Sequence, residues 1–283
     1  MEVKLDLVDV FGARTFAGNP LGVVHGAEGL NGEQMLALTR WLNFSETTFI
    51  LPPTDPGADY RVRIFYPAGE LPFAGHPTLG TCHAWVRAGG VPKRAGHVVQ
   101  ECGVGLVKIN QEEDRLAFRA PPLIRNGPLS VEERATAARL ANVPDEWIVD
   151  AVHASNGPGW QLLRLRSAED VLAVEAGLRA PVGTDIGLIG PYPEGSEAAF
   201  EVRAIFANSL GVLVEDPVTG SLQAAAAQYL FAKGLAQDSY VAAQGRKVGA
   251  DGLAHCSIDA DGAVWVGGRV ETIAAGADLG AFG

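Results

Sequence analysis

Two short polar turns, "FAGHPT" at 73–78 and "EDPVTGS" at 215–221, each stand at the mouth of an apolar run of helix length. Gly75 and Gly220 allow backbone to come close to a ligand, and His76 and Ser221 follow them directly. A helix start presents free N–H groups and the positive end of the helix dipole, so each turn offers a place for an anion without any lysine. Two acids complete the set: Glu46 in "NFSETTFIL" and Asp216 before Pro217. A carboxylate in apolar surroundings has its pKa raised toward neutrality and can take and return a proton, while helix amides hold an enolate. Together these groups suit proton movement on a carbon acid. The same residues also fit plainer roles, with Ser221 as a helix cap, His76 filling a turn and Asp216 steadying a helix N-terminus. Asn43-x-x-Glu46 has the spacing of a capping box, yet the residues after it read as a strand.

The elements that must position these groups follow from hydrophobic periodicity. "VKLDLVDVF", "SETTFILPP" and "DYRVRIFYP" alternate as strands, and Gly32 to Leu42 reads as a helix with Met35, Leu36, Leu38, Trp41 and Leu42 on its apolar side. A helix is expected from Pro77 at a first helical position to the Gly89-Gly90 stop, with almost no charged face. A second helix without a charged face runs from about Ser221 to Gly234, and an amphipathic helix opens at Ser130. Both halves of the chain thus have strands, a polar-faced helix, more strands, and an apolar helix entered through a polar turn. This order predicts two similar α+β domains, residues 1–120 and 121–283, joined where Pro and Gly cluster at 119–128, with the last strand free to return to the first domain.

With 33 acidic and 22 basic residues the chain carries a net charge of −11, which disfavours nucleic acid and anionic membranes as partners. No run approaches the roughly 20 apolar residues of a membrane span, and the first residues lack the pattern of a signal peptide, so a cytoplasmic location is expected. Cys82, Cys102 and Cys256 are too scattered for a disulfide framework. No phosphate-binding loop, dinucleotide fingerprint or histidine cluster at metal-ligand spacing occurs, so neither a cofactor nor a metal is expected.

"VDVFGARTFAGNPLGVV", "NFSETTFILPP", "ELPFAGHPTLGT", "GVLVEDPVTGSLQAAAAQYL" and "VWVGGRV" together resemble the PhzF family of phenazine-biosynthesis isomerases, along nearly the whole chain. The resemblance implies a diaminopimelate epimerase-like α+β fold of two pseudo-symmetric domains, each a curled β-sheet wrapped around a central apolar helix, with the site between them. It implies that Glu46 matches the proton-shuttling glutamate and that His76, Asp216 and Ser221 match the other active-site side chains. Gly75 and Gly220 would line the site, with Ser45 and Asn19 as further contacts. A cofactor-free isomerase of a small carboxylate-bearing metabolite, assembled as a homodimer, is what the family leads one to expect. The related epimerases use two cysteines at the helix entrances; neither turn here holds a thiol. The chain departs from the family at Asn208, where proline is usual, and after "QG", where a Gly-Arg-Pro-Ser run is missing. A lyase using the same carbanion, or a metabolite-binding protein that retains the cleft, are the alternatives.

Overall fold

The computed structural model describes residues 2–112 and 114–280. The chain divides into two compact units, Met1–Arg119 with Gly267–Gly283, and Ala120–Val266.

The first unit contains β1 (Lys4–Val10), β2 (Asn19–His25), α1 (Gly32–Leu42), β3 (Glu46–Leu51), β4 (Tyr60–Tyr66), β5 (Gly69–Leu71), α2 (Gly75–Arg87), β6 (His97–Cys102), β7 (Gly105–Gln111) and β8 (Leu116–Arg119). The second contains β9 (Arg125–Pro128), α3 (Val131–Ala141), β10 (Ile148–Ser155), β11 (Gln161–Leu165), α4 (Ala168–Ala173), β12 (Asp185–Pro191), β13 (Phe200–Ala207), β14 (Leu213–Asp216), α5 (Gly220–Ala232), β15 (Ser239–Gln244) and β16 (Gly252–Ile258). After β17 (Val264–Gly268), β18 (Val270–Asp278) pairs antiparallel with β1 and so closes the first unit. The segment expected as a linker holds β9, paired with β10.

The two units share one pairing scheme. In the first, β1–β2 is antiparallel, β2–β3 parallel, β3–β4 and β4–β5 antiparallel, β4–β6 parallel and β6–β7 antiparallel. In the second, β10 to β16 repeat that order with the same alternation of directions. The central helix enters at the same point of each scheme, α2 after β5 and α5 after β14.

Alternating side chains along the strands divide each sheet into two faces. In the first unit Val8, Val10 and Leu21 face α2; a Cβ on Gly80 would come within 2.6 Å of Leu21 Cδ2, so only glycine permits this approach. On the opposite face Leu5, Val24, Phe49 and Phe65 pack with Met35 and Leu38 of α1. Trp41, expected on that apolar side, is 80% exposed. It lies about 120° around the helix from Met35, at 100° per residue, beyond the stripe the sheet covers. In the second unit α5 is buried over most of its length, and Gly187 lies against Leu222 of that helix. The outer face packs Ile186, Leu188 and Ile205 against α3 and α4.

One helix start differs from expectation. α2 begins at Gly75, with Ala74 as its extended N-cap, so Pro77 is its third residue. Proline is tolerated there because its missing N–H belongs to the first turn, where no intrahelical partner exists.

Candidate active site

In the first unit the parallel pairing of β2 with β3 brings Leu21 level with Glu46 and so sets Asn19 near Ser45. Ser45 Oγ donates to Asn19 Oδ1 at 3.3 Å. Glu46, the first residue of β3, shares a face with Thr48, whose hydroxyl accepts from Thr81 Oγ1 on α2 at 2.8 Å. That parity turns Glu46 toward the start of the same helix. Its Oε2 lies 3.4 Å from Nδ1 of His76, the second residue of α2. The carboxylate side chain is 17% exposed and the imidazole 3%.

Burial pushes the His76 pKa down to about 3, although the Pro20 carbonyl accepts a hydrogen bond from the ring and works in the opposite direction. The His76–Glu46 contact therefore joins a carboxyl to a neutral imidazole and is not an ion pair in spite of its geometry. His76 Nε2 is buried with no hydrogen-bond partner among the described residues.

In the second unit Asp216 is the last residue of β14, and Gly220 and Ser221 open α5. Thr219 Oγ1 donates to Asp216 Oδ2 at 2.5 Å. Trp160 Nε1 donates to Ser221 Oγ at 3.1 Å, and Asn156 Nδ2 donates to the Ser221 carbonyl at 2.9 Å. An indole N–H can only donate, so the Ser221 oxygen accepts from it and keeps its own proton for another acceptor.

The helix ends differ according to their place. α1, α3 and α4 are capped by the side chains of Asn31, Ser130 and Ser167. α2 and α5 have no side-chain cap, although Thr219 stands at the N-cap of α5. The two apolar helices are thus the ones whose own N-cap residue offers no side-chain acceptor to the first turn, which leaves the dipole end available to an anion.

Register also shows an equivalence that the sequence conceals. Ile64 pairs with Thr48 and Leu71 in the first unit, while Ala204 pairs with Gly187 and Asp216 in the second. "ELPFAGH" therefore corresponds to "EDPVTGS", with Leu71 matching Asp216 and His76 matching Ser221. Two residues before Thr48 and Gly187 stand Glu46 and Asp185, so Asp185 is the counterpart of Glu46. Its carboxyl pKa is raised by burial, against a hydrogen bond of 3.1 Å from the Gly159 N–H. Sequence reasoning missed Asp185, Trp160 and Asn156; "GTDIGLIG" begins as a strand with an acid, much as "SETTFIL" does, and that likeness was the available signal. Asn208, by contrast, serves a local turn: its Oδ1 accepts from the N–H groups of Leu210 and Val212.

Among the described residues no group of three or more His, Cys, Asp or Glu is gathered as metal ligands would be. No helix among them is long and apolar enough to cross a membrane.

The family model for PhzC-PhzF, phenazine biosynthesis-like protein, matches residues 8–276. The chain belongs to this family. It is 32% identical over 286 residues to the Schizosaccharomyces pombe protein named antisense-enhancing sequence 1, covering 95% of this chain and 96% of that one. Over 78 residues, 28% of each chain, it is 47% identical to the trans-2,3-dihydro-3-hydroxyanthranilate isomerase of Pseudomonas aeruginosa. A crystal structure described as a predicted epimerase from the same organism superposes with a TM-score of 0.78 at 27% identity, covering 98% of this chain and 99% of that one. The fold is the α+β fold of these PhzF proteins and of the proline racemase-type epimerases, and the chain is an isomerase of the PhzF family.

Proposed function

We propose that the chain moves a proton between carbons of a small carboxylate-bearing metabolite without a cofactor, with Glu46 as the acid/base. The observation that carries this reading is the 3.4 Å contact between Glu46 Oε2 and His76 Nδ1 at the uncapped start of α2. An imidazole held neutral forms no full ion pair with the carboxylate, so Glu46 remains basic enough to take a proton from carbon. The electrons left on the substrate become an enolate, stabilised by hydrogen bonds from helix-start amides that are aligned before the reaction begins. Glu46 then returns the proton to a second carbon, and neither substrate nor enzyme gains or loses atoms. His76, with its buried and unpartnered Nε2, holds the substrate in place for that transfer. In the second unit Asp216 assists proton movement, and Ser221, its oxygen already taken by Trp160, donates its proton to the substrate's anionic group. Ser45, Asn19, Gly75 and Gly220 line the bound substrate.

The test is incubation with trans-2,3-dihydro-3-hydroxyanthranilate in deuterated water, followed by NMR and mass spectrometry. Turnover with deuterium at the newly protonated carbon and no loss of water is expected, and Glu46→Gln lowers kcat by about 100-fold or more. Undiminished exchange in Glu46→Gln removes that residue from its role. Loss of the elements of water shows elimination instead.

A further inference from the structure

Gln244, the last residue of β15, is fully buried, and its amide makes four hydrogen bonds, all to the turn and first helical residues that carry Asp216 and Ser221. Oε1 accepts from the Thr219 N–H at 3.1 Å and from Gln223 Nε2 at 2.8 Å. Nε2 donates to the Asp216 carbonyl at 3.2 Å and to Thr219 Oγ1 at 2.9 Å. Two of the partners are main-chain groups with fixed polarity: an N–H only donates and a carbonyl only accepts, so the amide has one permitted orientation.

The consequence passes to Thr219. Its hydroxyl oxygen accepts from Gln244, so its single proton must go elsewhere, and it goes to Asp216 Oδ2 at 2.5 Å. The same arrangement explains why a threonine at an N-cap does not cap its helix. We infer that Gln244 is a positioning residue for the reaction proposed above: it turns the Thr219 hydroxyl away from α5, directs its proton onto the Asp216 carboxylate and leaves the first amides of α5 open to the substrate. At α2 a buried glutamine likewise directs a threonine proton, but onto main chain: Gln100 Nε2 donates to Thr78 Oγ1 at 3.0 Å and Thr78 Oγ1 donates to the carbonyl of the N-cap Ala74 at 2.9 Å, so no carboxylate is supplied with a donor there. Asp216 thus works as a hydrogen-bond acceptor in the resting protein, supplied with a donor before substrate arrives.

This inference rests on the roles given to Asp216 and α5, but its test needs no substrate and therefore stands or falls apart from the isomerase reading, which Glu46→Gln decides. The titration of the Asp216 side-chain carboxyl is followed by carbon-13 NMR in the full chain labelled at aspartate, with the signal assigned by Asp216→Asn. Thr219→Val removes the donor and is expected to shift the Asp216 midpoint upward, because the ionised form loses a charge-assisted hydrogen bond. Gln244→Met, of similar shape, releases the Thr219 hydroxyl and shifts the midpoint in the same direction by a smaller amount. In the double variant Gln244→Met adds nothing to Thr219→Val, since the glutamine acts through the threonine. An unshifted midpoint in folded Gln244→Met, or equal shifts in both backgrounds, overturns the inference. Should Gln244→Met fail to fold, Thr219→Ser and Thr219→Val carry the test: serine keeps the native midpoint and valine raises it, and an unmoved midpoint in the valine variant overturns the proposal.

Discussion

Acidification should weaken the first unit through His76, and the size of the effect follows from its burial. The imidazole pKa is about 3 in the folded chain and close to 6.5 when exposed. The folded-state value is depressed, so the unfolded chain binds the extra proton; stability is full above about pH 6.5 and falls as the pH drops from there toward 3. Between pH 7.5 and pH 5.0 about 1.5 units of that window are crossed, which at ~1.4 kcal/mol per unit amounts to about 2 kcal/mol. His76→Gln keeps a polar side chain of similar reach and removes the titration. Amide hydrogen exchange in the interior of α2 reports on opening of the structure around His76. After correction for intrinsic rates, the native chain should lose about 30-fold more protection than His76→Gln between these two pH values, other histidines contributing equally to both. Parallel losses in the two proteins would refute the reasoning, because they would mean that His76 is protonated in the folded state and its contact with Glu46 is an ion pair.

Two further substitutions test the second unit. Arg203 bonds Glu215 at 2.7 Å and also donates to the Val171 and Val174 carbonyls near the end of α4. Arg203→Met leaves a buried carboxylate without its cation and should cost about 3–5 kcal/mol in urea unfolding followed by circular dichroism, whereas a cost under about 1 kcal/mol would show the pair to be dispensable. Trp160→Phe removes the donor to Ser221 and should cost about 1 kcal/mol of stability while raising KM more than it lowers kcat, because the serine hydroxyl is then free to turn away from the substrate.

Much of the fold was legible because periodicity reports burial. β3, Glu46–Leu51, falls within the strand expected from "SETTFILPP", and α5, with its uniform apolar surface, is the buried helix that such a surface requires. The limits are equally physical. Trp41 belongs to an apolar helix, yet only the width of the covering sheet determines how much of the stripe is buried. Pro77 marks a helix start to within two residues, since proline fits several positions of a first turn. Gln244 gives no signal in "VAAQGRK", because its importance lies in a main-chain N–H and a carbonyl more than twenty residues earlier.

By itself the sequence determined which residues could handle a proton: Glu46, His76, Asp216 and Ser221 are chemical types, and their turns before apolar helices are local patterns read along the chain. Only the tertiary structure decided their states. Burial removes water from His76 and keeps it neutral, strand register makes Asp185 the counterpart of Glu46, and a glutamine from a distant strand chooses the direction of the Thr219 proton. Solvation and hydrogen-bond polarity depend on neighbours brought together by folding, and no local pattern encodes them.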